Sequence, residues 1–203
     1  MSIYQLKTVF QNLLRPLCKS MADKGITANQ VTIAAMILSV VEGFLITFNP
    51  TSSLPLTLLP LVLLIRMGLN AIDGMLAREH DMQSNLGAIL NELGDVISDI
   101  ALYLPLAFVP LFHPYLIVAI VLVAILTEMV GVMAIQIGAD RRYDGPMGKS
   151  DRAFMLGGLA LFVGLGWLAS SIIVNIVLSI VLALSIVTVV NRAYKALCKS
   201  GGV

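Results

Sequence analysis

"NAIDGMLAREHDMQSNLGAILNELGD", residues 70–95, interrupts an otherwise apolar chain. It mixes carboxylates, amides and an arginine with glycine and alanine, and apolar runs long enough to cross a bilayer flank it on both sides. Ionisable groups at such a place are costly, and they face a bundle interior or a wet cavity rather than lipid. The stretch therefore reads as the ends of two antiparallel helices joined by a short turn, with their polar stripes facing each other. At about 100° per residue, Asn70, Asp73, Gly74 and Ala77 share one face of the first helix, and Arg66 lies one turn deeper on that face. In the second helix Gly87, Asn91 and Asp95 recur at four-residue steps, and Ser98 and Asp99 extend the stripe.

Working outward, 58% of the 203 residues are hydrophobic and only 12% are charged, with a mean hydropathy of +0.93. A soluble domain of this length cannot hide so much apolar surface, which makes the chain an all-α integral membrane protein. The net charge of +1 provides no field for a nucleic-acid partner. Cys18 and Cys198 are the only cysteines, which argues against a disulfide framework. The first residues alternate polar and apolar, which is not a signal-peptide pattern.

Six stretches are expected to span the membrane, near 28–49, 55–78, 84–109, 114–138, 152–168 and 170–191. Twelve of the thirteen basic residues, all but Arg66, fall on one side of that arrangement. The opposite turns, "NPTSSLP", "LFHPY" and "LASS", contain no Lys or Arg. By the positive-inside rule both termini and the polar stretch are cytoplasmic. Residues 1–27 form a juxtamembrane segment in which Ile3, Leu6, Phe10, Leu13, Leu14, Leu17 and Met21 recur at helical spacing. That pattern predicts an amphipathic helix lying along the membrane surface, kinked or split at Pro16. Residues 28–203 make one six-helix domain, with no internal repeat.

Small residues at four-residue spacing can simply bring helices together. Helix packing does not require Asp73, Asp95 and Arg78 as well. Clustered oxygen donors near a membrane surface suit a hard divalent cation, which can hold a diphosphate and neutralise charge as a phosphoester bond breaks. Elsewhere, Lys149 and Arg152 flank "KSDR", with Arg141 and Arg142 close by. Positive-inside topology accounts for them, and so does a pocket for an anionic acceptor or for lipid headgroups. Arg66 lies at a depth comparable with Glu42 and Glu128, and a buried ion pair with one of them, or with Asp99, is the plain reading.

The spaced residues resemble the signature of the CDP-alcohol phosphotransferases, D-x₂-D-G-x₂-A-R-x₈-G-x₃-D-x₃-D. Here it reads Asn70-x₂-Asp73-Gly74-x₂-Ala77-Arg78-x₈-Gly87-x₃-Asn91-x₃-Asp95, so that every spacing and six of eight identities agree. "ITANQVT" resembles the family's T-P-N-x-V-T segment, with Ala28 in place of proline, and "GPMGKSDRA" resembles a charged loop of related members. The resemblance implies transfer of a substituted phosphate from a CDP-linked donor, usually CDP-diacylglycerol, to the hydroxyl of a small polar alcohol, with release of CMP. It places Asn70, Asp73, Asn91 and Asp95 around one or two Mg²⁺ or Mn²⁺ ions. It implies Asp95 as the general base and Asp73, Gly74, Ala77, Arg78 and Gly87 as contacts of the CDP moiety. Apart from the resemblance, Lys149, Arg152 and Arg141 are candidates for the acceptor pocket, and Asp99, one turn beyond Asp95, is a candidate auxiliary carboxylate. The resemblance also implies a homodimer and a multi-pass protein of the bacterial inner (plasma) membrane. Two signature aspartates are asparagines here, which lowers the formal charge of the four positions from −4 to −2. One tight ion, two weak ions, or a member that binds CDP-lipid or a protein partner without turnover all follow from that change. A small transporter is a further reading, and it would need a polar path to the far side.

Overall fold

A computed structural model describes the backbone of residues 3–199 and the side chains of residues 10–199. The described residues form helices and connecting turns, with no strand among them. In chain order these are α1 (Ile3–Asp23), α2 (Ala28–Phe48), α3 (Ser53–Glu79), α4 (Asn85–Tyr103), α5 (Pro114–Met133), α6 (Lys149–Gly164) and α7 (Ser171–Lys199). Short 3₁₀ turns follow α4 (Leu104–Phe108) and α5 (Ala134–Ile137).

Among the described residues four helices are long and apolar enough to cross a membrane: α2, α3, α5 with its 3₁₀ extension, and α7. The other two expected spans exist as helices but fall outside that measure. α4 has 19 residues and includes Glu92, Asp95 and Asp99. α6 has only 16 and begins with Lys149, Asp151 and Arg152. The stretch expected as one helix over 84–109 is α-helical only to Tyr103. Pro105 has no N–H to return to the Ala101 carbonyl, and the chain tightens there into 3₁₀ geometry. α7 continues eight residues past its expected end. α1 runs unbroken through Pro16, so the expected split does not occur. The side chains of Ile3 and Leu6, part of its expected apolar face, lie outside the described residues. Of the remainder, Leu13 and Leu17 are exposed while Cys18 is buried.

The chain divides into two compact units. The first comprises residues 1–41 and 61–98. Its core joins Cys18 of α1, Ala28 and Val31 of α2, and Ile72, Met75 and Leu76 of α3. The last three recur at helical spacing and turn one side of α3 toward α1 and α2. Arg15 forks onto the Glu79 carboxylate at 3.0 and 3.3 Å, linking α1 to the end of α3.

The second unit comprises residues 42–60 and 99–203. In it the backbone of α2 at Gly43 meets the Ala101 carbonyl of α4, the same carbonyl that Pro105 cannot satisfy. Any side chain at position 43 would collide with that oxygen. The far end of α7 holds the loop between α5 and α6: Lys195 Nζ bonds Asp144 at 2.8 Å, Lys199 Nζ bonds Asp140 at 2.6 Å, and Thr188 Oγ1 accepts from the Met147 N–H at 2.9 Å. Gly145, at φ +126°, packs on Thr188 with no room for a Cβ.

Candidate active site

In the first unit α3 and α4 are joined by a turn in which Asp81 takes a left-handed conformation, φ 54°. Ser84 caps α4, its Oγ accepting from the Gly87 N–H at 2.9 Å. With α3 turning Ile72, Met75 and Leu76 into the core, Asp73, Gly74, Ala77 and Arg78 are left to line a cavity of about 530 Å³. Gly87 and Asn91 of α4 complete the wall together with Asn29 and Thr32 of α2. A volume of this size is typical of small-molecule sites.

Six of the signature residues thus share one cavity. Asp73 is buried, and its Oδ2 accepts from Thr32 Oγ1 at 2.8 Å. The glycines have definite neighbours. A Cβ on Gly74 would stand 3.0 and 3.2 Å from the two terminal nitrogens of Arg78, and one on Gly87 would stand 2.7 Å from Asn29 Oδ1. The space at Gly74 therefore belongs to the Arg78 guanidinium and that at Gly87 to the Asn29 amide. Asn29 and Thr32 were not singled out as site residues from sequence, although "ITANQVT", which contains both, was the available signal.

Asn70 and Asp95 do not line the cavity. They bond each other, Asn70 Nδ2 donating to Asp95 Oδ1 at 2.8 Å. Arg66 approaches the same oxygen at 3.5 Å and donates to the Asp95 backbone carbonyl at 3.0 Å. Asp95 is thus a partner of Arg66 that the expected set of Glu42, Glu128 or Asp99 did not include. It is the carboxylate four-residue steps bring to face Arg66 across the α3–α4 hairpin.

The second unit holds the other basic residues that the sequence singled out. Arg152, expected at the cytoplasmic mouth, has no exposed surface. Its guanidinium meets Glu128 at 3.2 Å and Asp99 at 3.4 Å, and donates to Thr127 Oγ1 at 3.0 Å and to the Met147 carbonyl at 3.2 Å. Arg141 and Arg192 each lie 3.5 Å from Glu128, so three arginines gather on that one carboxylate. Arg141 also lies over the Tyr143 ring. Asp99, expected as an auxiliary metal carboxylate, is here a partner of Arg152. Lys149 is half-buried in the first turn of α6. Arg192, read from sequence only as a topology signal, belongs to this cluster because α7 extends far enough to present it. Outside the spans, the ammonium of Lys195 holds the Asp144 carboxyl below its ordinary value, with Arg142 adding to the effect.

Among the described residues no three His, Cys, Asp or Glu side chains gather in a metal-binding group. The donor chemistry of Asp73 and Asn91 on the cavity wall suits one hard cation. It does not extend to a cage of four carboxylates for two ions.

A family model described as CDP-alcohol phosphatidyltransferase matches residues 25–191. The inner membrane protein YnbA of Escherichia coli is 46% identical over 202 residues, covering 98% of each chain. Among solved structures, the Mycobacterium tuberculosis phosphatidylinositol phosphate synthase PgsA1 with CDP-DAG bound superposes with a TM-score of 0.75 at 21% identity, covering 90% of this chain and 92% of that one. The same protein in complex with manganese and citrate gives 0.74 at 21% identity, covering 89% and 87%. At that identity the structural likeness is one of fold. The family match spans most of the chain, and its spaced residues wall a single cavity: this chain belongs to the CDP-alcohol phosphatidyltransferase family.

Proposed function

We propose that the chain transfers a phosphatidyl group from CDP-diacylglycerol to the hydroxyl of a small polar alcohol, releasing CMP, in phospholipid synthesis. The observation that carries this reading is the cavity whose wall is made by Asp73, Gly74, Ala77, Arg78, Gly87 and Asn91 at the family's spacing. Arg78 supplies a fixed guanidinium fork suited to phosphate oxygens, and Gly74 leaves it room. Asp73, with the Asn91 amide oxygen, would hold a divalent cation, Mg²⁺ or Mn²⁺. When bound, such an ion neutralises the diphosphate. The acceptor oxygen forms a bond to the phosphatidyl phosphorus as the bond from that phosphorus to the bridging oxygen breaks. The electron pair leaves on CMP, and Asp95 takes the hydroxyl proton.

The acceptor is an alcohol that bears an anionic group, such as a phosphorylated polyol. Support comes from the second unit, where Arg141, Arg152 and Arg192 gather on Glu128. Arg152 is the buried support of that cluster and Arg141 its more accessible member, while Lys149, half-buried in the first turn of α6, would serve the acceptor as a further cation. The complete reading has six membrane-crossing helices in residues 28–203, with the short polar α4 and α6 as the fifth and sixth. α1 lies on the membrane surface with Leu13 and Leu17 toward lipid, and both termini and the site face the cytoplasm of a bacterial inner membrane. A homodimer is part of the same reading.

Purified protein incubated with CDP-diacylglycerol, Mg²⁺ or Mn²⁺ and a panel of alcohols is expected to release CMP. Mass spectrometry of lipids after overexpression then identifies the product. CMP release no greater than that of Asp95→Asn across all metals and acceptors refutes turnover. That result would favour a member that binds CDP-lipid alone, a reading motivated by Asn70 and Asn91.

A further inference from the structure

We infer that the Arg66 guanidinium and the Asn70 amide together occupy the place at Asp95 that a second divalent ion would take, so that this chain binds a single divalent cation. The inference rests on the transferase reading only for the identity of the site.

Two donors converge on Asp95 Oδ1: the Asn70 amide nitrogen at 2.8 Å and Arg66 Nη2 at 3.5 Å. The orientation of the Asn70 amide follows from chemistry. Its oxygen at that distance from a carboxylate oxygen, with no proton between them, would be repulsive, so the N–H₂ group must face Asp95. An aspartate at position 70 has no such donor and would instead present a second negative charge.

Arg66 cannot easily step aside. Only 4% of its side chain is exposed, it also holds the Asp95 backbone carbonyl at 3.0 Å, and it stands one helical turn below Asn70 on the same face of α3. Moving it away from Asp95 would break both contacts at once. A divalent ion ligated by Oδ1 would sit within a few ångströms of that fixed positive charge, in a setting where repulsion is weakly screened.

The charge count agrees. Asp73, Asp95, Arg66, Arg78 and one divalent ion leave two net positive charges before substrate, and a second ion would leave four. Asn70 and the buried arginine thus act together: position 70 brings no negative charge, and a positive charge beside Asp95 is supplied by the chain.

Counting Mn²⁺ by electron paramagnetic resonance on the purified full-length protein, with and without CDP, tests this without reference to turnover. The wild type is expected to bind one Mn²⁺ per chain. Asp95→Asn should change Mn²⁺ affinity less than about threefold, because Asp95 is not a ligand, whereas Asp73→Asn should weaken it more than about tenfold. The combined variant Arg66→Gln, Asn70→Asp, Asn91→Asp should gain a second ion. Two ions or none in the wild type overturns the inference, as does a tenfold loss in folded Asp95→Asn. The wild-type count stands even where a variant fails to fold. Absence of CMP release together with one bound ion refutes the transferase reading and leaves the ion count intact.

Discussion

Arg152 and Glu128 meet at 3.2 Å, and the arginine has no exposed surface at all. The pair joins α6 to α5, and Asp99 of α4 closes on the same guanidinium at 3.4 Å. Removing one member of a buried ion cluster leaves its partners charged and unpaired, at a cost of about 3–5 kcal/mol. Arg152→Gln should therefore lower the thermal unfolding midpoint in detergent sharply. Arg141→Gln, at the more accessible edge, should leave the midpoint nearly unchanged while weakening use of an anionic acceptor. Equal midpoints for the two variants would refute the assignment of Arg152 as the support of the cluster.

Gly43 is the position where α2 touches the Ala101 carbonyl. Gly43→Ala forces the helices apart, and overpacking of this kind costs about 1–3 kcal/mol. A Cβ on Gly158 of α6 would meet nothing within 4 Å, so Gly158→Ala should be neutral or slightly stabilising. Thermal unfolding of the two variants side by side provides the check.

Gly74 and Arg78 form a second testable pair. If position 74 is small only to seat the guanidinium, Gly74→Ala should raise KM for the CDP donor several-fold in the wild-type background and have no further effect in Arg78→Ala. Coupling of that kind is diagnosed by a double-mutant cycle. Independent, additive effects would mean that Gly74 meets the nucleotide itself. Arg78→Lys should not restore the wild-type KM, since an ammonium lacks the planar fork.

The loop between α5 and α6 should loosen in acid. Hydrogen bonding from Lys195 lowers the Asp144 carboxyl below its ordinary 3.8, and Lys199 does the same for Asp140. A lowered carboxyl contributes stability that is complete above the unfolded value and is lost as pH falls through the folded one. Protection of residues 139–148 from hydrogen exchange, taken relative to the intrinsic rate at each pH, should thus be constant from pH 7 down to about 5 and fall below about pH 4. Asp144→Asn should show the faster exchange already at neutral pH.

Much of the site was legible because it is written in local periodicity. Asp73, Gly74, Ala77 and Arg78 fall on one side of α3, and Gly87 and Asn91 on one side of α4, by the turn of a helix alone; the hairpin between them then leaves few alternatives. Helix positions followed from apolar run length, and the early end of α4 follows from Pro105 once its missing N–H is considered.

Tertiary structure decided which charge meets which. Arg66 had several carboxylates at similar depth, and only the packing of α3 against α4 brings Asp95 within its reach. Glu128 draws arginines from the loop, α6 and α7, a choice no pattern along the chain encodes, because long side chains reach several partners and the exclusion of water selects among them. The sequence by itself determined the helices, the spacing of the signature and the family. The three-dimensional arrangement determined that Asn70 and Arg66 close on Asp95, since a buried charge must find its counter-charge in space, whatever the distance along the chain.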